Sequence, residues 1–172
     1  MRSAIFILFV TILVPAFAPA QNAGGSKYIG YKYDSIRPGT TLPNGVTHMG
    51  GGLLGDIQAD PVYGISQVET GKTKMLWLEA STRKDSTGVL GWEVLDVLSF
   101  RALGPANYIF FTGDPAISCS RNGREIPNLV GIGRIVRREG IFKPSNLWTA
   151  DLTTKKFEPA ETSNVKCNYS EP

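Results

Sequence analysis

Beyond Pro61 the chain alternates between short apolar runs and turn signals, and no stretch keeps a helical period. "VYGISQV" (62–68) meets a turn at Glu69–Lys72. "KMLWLEA" (74–80) meets "RKDSTG", and "VLGWEVLDVLSF" (89–100) meets "RALGPAN". "YIFFT" (108–112), "AISCS" (116–120), "LVGIGRIVRRE" (129–139), "LWTADL" (147–152), "FEPA" and "VKCN" complete the series. Asn122-Gly123 is a strong hairpin signal. Val89, Val94, Val97, Trp92 and Phe100 favour strand over helix in 89–100. About eight or nine short strands at this spacing predict an all-β fold. It would be a single antiparallel sandwich or small barrel.

Two of these strands carry a charge on an apolar face. With side chains alternating, Trp92, Val94, Leu98 and Phe100 share a face with Asp96. Val130, Ile132 and Val136 share one with Arg134. A charge buried without a partner is costly, so an Asp96–Arg134 ion pair is expected, structural in role. A bulge in either strand would shift the register and remove the reason for it.

Residues 21–60 have a different texture. Nine of the nineteen glycines fall there, with Pro38 and Pro43. "KYIGYKY" (27–33) reads as one short strand, and the rest as turn chemistry. The expectation is a Gly/Pro-rich arm or long loop docked by its tyrosines and Leu53-Leu54, ahead of a β domain at 61–172.

The first twenty residues read as a secretory leader. Arg2 precedes an apolar run, Ala4–Val14, which Pro15 breaks, and Ala18-Pro19-Ala20 places the cut before Gln21. The run falls short of the ~20 apolar residues that a spanning helix needs. The expected location is therefore the periplasm or the extracellular space, with no membrane span after cleavage. Cys119 and Cys167 are the two cysteines, and an exported pair predicts a disulfide. Closing that loop is worth roughly 4 kcal/mol in the chain-entropy picture. The net charge of +3 is too small to imply nucleic acid.

Candidate chemistries find little support. Thr70-Gly71-Lys72-Thr73 spells the end of a phosphate-binding loop. Ser66 stands where the first glycine belongs, and a strand pattern follows where a helix should start. A β-hairpin turn with Gly71 at positive φ fits better. "HMGGGLLGD" (48–56) resembles an esterase oxyanion loop, but no Gly-x-Ser-x-Gly elbow accompanies it, and it reads as a flexible loop. His48, the single histidine, lies in that Gly-rich stretch, a poor place to hold a base. A zinc site from Cys119, Cys167 and His48 lacks the close ligand pairs such sites use. Glu79, Glu93, Asp96 and Asp114 are candidates for a carboxylate pair. Arg134, Arg137, Arg138 and Lys143, with Arg121 and Arg124, read as a solvated edge rather than an anion site. Asn168-Tyr169-Ser170 is a formal glycosylation acceptor.

"WEVLDVL" (92–98) and "LWTADLTTKKFEPAETSNVKC" (147–167) resemble a group of small exported bacterial β-rich proteins. In that group a tryptophan strand precedes a C-terminal hairpin ending near a cysteine. The resemblance implies an exported, disulfide-closed β-domain and no site. The sequence thus leads to an exported non-enzymatic β-domain, binding or structural, with no cofactor and with a protein or envelope polymer as its partner. A small-barrel ligand carrier or protein inhibitor is the alternative, and a carboxylate hydrolase the next.

Overall fold

The computed structural model describes residues 25–170, apart from 35, 87, 102, 112 and 115. The leader expected at 1–20 lies outside the described residues. The fold is all-β, with two curled antiparallel sheets. No helix among the described residues is long and apolar enough to cross a membrane. Sheet 1 contains β1 (Lys32–Asp34), β2 (Thr47–Leu54), β3 (Tyr63–Thr70), β4 (Thr73–Asp85) and β5 (Gly88–Arg101), ordered β1-β5-β4-β3-β2. Sheet 2 contains β6 (Tyr108–Phe111), β7 (Ile117–Arg121), β8 (Arg124–Glu125), β9 (Leu129–Val136), β10 (Ile141–Asp151), β11 (Lys156–Ala160) and β12 (Val165–Tyr169). Its order is β6-β9-β10-β12-β7-β8, with β11 paired to β10.

Local chemistry sets the turns. Thr70 pairs with Thr73, leaving Gly71 and Lys72 as a two-residue loop. Gly71 takes φ 57°, and a glycine at the first central position suits a hairpin turn. "ETGKT" is thus the β3–β4 hairpin. Asn122 and Gly123 both have positive φ between β7 and β8, as an Asn-Gly hairpin requires.

Both faces of each sheet are apolar. Between the sheets pack Leu54, Ile65, Leu76, Leu78, Leu98 and Phe100 from sheet 1, against Ile109, Val130, Trp148, Ala150 and Phe157 from sheet 2. On its far side sheet 2 curls over Phe110, Phe142, Leu129 and the Cys119–Cys167 disulfide. On its far side sheet 1 presents Val68, Met75, Trp77, Val94 and Val97. Tyr28, Leu42 and Val46 cover that face. The rings of Tyr28, Tyr31 and Tyr33 lie 5.3, 6.2 and 6.0 Å from that of Trp77.

Two expectations are corrected here. The Gly-rich segment docks through its tyrosines as expected but is not all arm or loop: Thr47–Leu54 is β2, paired along β3 from Thr47↔Glu69 to Leu54↔Tyr63. Its backbone hydrogen bonds offset the missing side chains. The Asp96–Arg134 pair is not formed. Leu78 pairs with Asp96 but Glu79 with Val94, so Leu95 is a bulge residue. The bulge sends Val94 to the Trp77 face and keeps Leu98 and Phe100 between the sheets. Asp96 then accepts the amides of Val97 at 2.9 Å and of Phe157, across the sheets, at 2.8 Å. Arg134 is exposed on β9 opposite Lys143, which itself pairs with Glu139.

Cys119 and Cys167 are direct cross-strand partners on β7 and β12, 48 residues apart in the chain. The bridge constrains the unfolded chain far more than a ladder already paired. Replacing both cysteines with alanine should lower stability by about 2–4 kcal/mol in urea unfolding. A midpoint unchanged within error would refute that role.

Candidate functional site

The covered face of sheet 1 is apolar except at one end. Met75, Trp77 and Glu79 alternate along β4 on this face, so the strand that buries Trp77 also buries Glu79. Glu79 is 1 % exposed. Opposite it on β3 is Gly64, and Ser66 is the diagonal neighbour. Tyr33 arrives from β1, set in register against Trp92 of β5. His48 arrives from β2, paired with Val68 beside a bulge.

These four side chains form one network. Tyr33 Oη donates to Glu79 Oε1 at 2.6 Å, and Ser66 Oγ donates to Oε2 at 2.7 Å. The Tyr33 and Ser66 oxygens are 3.3 Å apart, and His48 Nε2 is 3.3 Å from Ser66 Oγ. His48 is 8 % exposed, and its Nδ1 meets no hydrogen-bond partner among the described residues. None of the ion pairs among the described residues involves Glu79.

Above the network is a cavity of about 310 Å³. Ile36, Pro38, Leu53, Ile65 and Trp92 supply apolar wall, and Glu79 is the one acidic group among the residues lining it. Among the described residues no lysine or arginine lines it. Gly64 suits this shape: a Cβ there would sit 3.1 Å from the Trp92 ring, which would have to shift.

The electrostatics follow from burial. Desolvation pushes the Glu79 carboxyl up to about 7, against the pull of the Tyr33 and Ser66 hydroxyls. Desolvation, then the charge of Glu79, holds the Tyr33 phenol far above its ordinary range. Burial lowers His48 below its ordinary range. At neutral pH the site therefore holds a half-ionised acid beside a neutral imidazole and a neutral phenol. Such a carboxyl can gain or lose its proton near pH 7, and can meet a polar group brought in by a ligand.

Of the candidate carboxylates, Glu79 alone reaches this cavity. Glu93 pairs with Lys32 at 3.4 Å, Asp96 holds backbone amides, and Asp114 accepts the Ala116 amide at 2.9 Å. The pair that a two-carboxylate hydrolase needs is not assembled here. No group of three metal-ligating side chains occurs among the described residues, and both cysteines are in the bridge. His48, placed by sequence in the loosest segment, is buried on a paired strand. Tyr33 and Ser66 carried no functional signal of their own. Glu79 did: it ends the apolar face of Met75 and Trp77, the same conflict that drew attention to Asp96. In comparisons with protein families, curated proteins and solved structures, nothing matches this chain.

The raised carboxyl links stability to pH. The folded state holds the Glu79 proton more tightly than the unfolded chain, whose carboxyl titrates near 4.5. Glu79's contribution is present in acid and is lost as pH rises from about 4.5 through about 7, a loss of about 3 kcal/mol in all. His48 acts oppositely, since its folded form resists protonation as pH falls below 6.5. Comparison with Glu79→Gln isolates the acid. The variant should gain stability on the wild type between about pH 5 and 7 and level off above that, read by urea unfolding. A difference that stays constant with pH would rule out the buried titration.

Proposed function

We propose that this is an exported ligand-binding β-domain, which holds a small, largely apolar molecule with one polar head in the cavity above Glu79. The observation that carries the reading is a fully buried carboxyl with no ion partner among the described residues, set beneath an open cavity. A purely structural domain gains little from such a group, because burying a carboxyl without an ion partner is costly. The cavity volume lies at the lower end of the range for small-molecule sites, and its few polar groups converge at one end, as ligand pockets arrange them. This favours the ligand-carrier alternative over a flat docking module. With one carboxyl at the cavity, the hydrolase alternative has no second group to rest on.

Export belongs to the same reading. The leader pattern at 1–20 and a disulfide that an oxidising compartment would preserve both support it. Intact-mass analysis of the chain made in its host should give Gln21 as the first residue; a chain that keeps Arg2 would sink the leader.

A fragment screen by amide NMR tests the pocket. Hits should move the resonances of Gly51, Gly52, Gly64 and Ile65, and a Trp92 substitution should weaken them. Hits that map consistently elsewhere, or a compound set that never binds, would remove the proposal.

A further inference from the structure

The hydrogen-bond inventory around Glu79 says more about the ligand than its size. When the carboxyl is ionised, the Tyr33 and Ser66 hydroxyls both donate to it, so their protons are committed. Ser66 Oγ has only one proton to give, so the His48 contact at 3.3 Å must run from Nε2–H to Ser66 Oγ. The polar groups of the network have thus turned their donors inward. What these bonds leave unfilled, on side chains that line the cavity, is acceptor capacity: a lone pair on each Glu79 oxygen and on the Tyr33 and Ser66 hydroxyls. The buried negative charge has no cation among the described residues, and the lining contains no lysine or arginine. The site is short of one positive, donor-rich group.

A metal ion does not fit that demand. One carboxylate and two hydroxyls fall short of the six to eight oxygens that calcium takes, and the other walls are apolar. An ammonium fits: it carries three donors and no acceptor.

We propose that the ligand is a small organic ammonium, a primary amine on a compact apolar body. Its charged head docks on Glu79, Ser66 and Tyr33, and its body packs on Trp92, Leu53, Ile36 and Pro38. This rests on the pocket being a ligand site, and the experiment separates the two claims. Docking requires the ionised carboxyl, so binding is coupled to the Glu79 proton. The titratable groups facing the site are Glu79 from β4, Tyr33 from β1 and His48 from β2; β3 and β5 contribute Ser66 and Trp92, which do not titrate. The Tyr33 phenol keeps its proton through this range and burial lowers His48 below its ordinary value, so Glu79 is the group expected to carry the pH dependence around neutrality.

The test is isothermal titration of the wild-type protein with phenethylamine, 2-phenylethanol and 3-phenylpropanoate at pH 6 and pH 8. The amine should bind at pH 8 at least about tenfold more tightly than the alcohol, and the carboxylate least of all. Its affinity should fall about tenfold from pH 8 to pH 6, as a group titrating near 7 dictates. Glu79→Gln should lose both the amine preference and the pH dependence. Should that variant fail to fold, Tyr33→Phe serves: with one donor to the carboxylate gone, the midpoint of the amine's pH profile should move upward. If the alcohol or carboxylate binds as tightly as the amine, the ammonium claim fails while the pocket stands. If the amine binds with no pH dependence, the Glu79 dock fails. If none of the three binds and neutral fragments still do, the ammonium claim is overturned alone; if nothing binds at all, both claims fall.

Discussion

The structure depends on one constraint: sheet 1 is apolar on both faces, and a second sheet can cover only one of them. Leu76, Leu78 and Leu98 are satisfied by sheet 2, whereas Val68, Met75 and Trp77 on the other side are not. Segment 25–46 exists in its present path because that face must leave water. Burying side chains of this size stabilises by roughly 1.5–3 kcal/mol each, which outweighs the cost of ordering a glycine-rich segment. Three tyrosines around one tryptophan give the cover its grip.

The pocket is where that cover ends. The segment seals the Trp77 region and leaves the Glu79 end of the same face roofed only in part. Opposing tendencies meet there. Burial disfavours the charged carboxylate, two short hydrogen bonds favour it, and burial wins by enough to bring the titration to neutrality. A lysine in the wall would have returned the carboxyl to its ordinary range and filled the space. Neither happens, and both the cavity and the unbalanced acid survive.

Much of this was legible in the sequence, at places where local chemistry decides. The Gly71 turn, the Asn122-Gly123 hairpin, the strand runs after Pro61 and the cysteine pair all rest on short-range rules, and the structure contains each of them. What could not be read depends on partners distant in the chain. β2 carries three consecutive glycines, which have no strand propensity; only pairing with β3 makes them a strand. The extra residue at Leu95 leaves no mark in a period-two pattern, yet it reverses which way Val94 points and gives Asp96 to a backbone amide of β11. Glu79 showed the right conflict, an acid ending an apolar face. Its partners lie 46 and 13 residues away on separate strands, and no spacing rule connects them.

The position of the Cys119–Cys167 link divides the unfolded molecule unevenly. The cross-link encloses only chain from sheet 2, so every strand of sheet 1 lies in an open-ended tail. Closing the ring shrinks the search for one half of the protein and does nothing directly for the half that contains the cavity. In the oxidised chain sheet 1 packs on a partner whose unfolded form is topologically restrained, through the shared layer of Leu76, Leu98, Val130 and Trp148. A change of redox state would reach the cavity only through that layer, as a weaker template rather than as a cut tether.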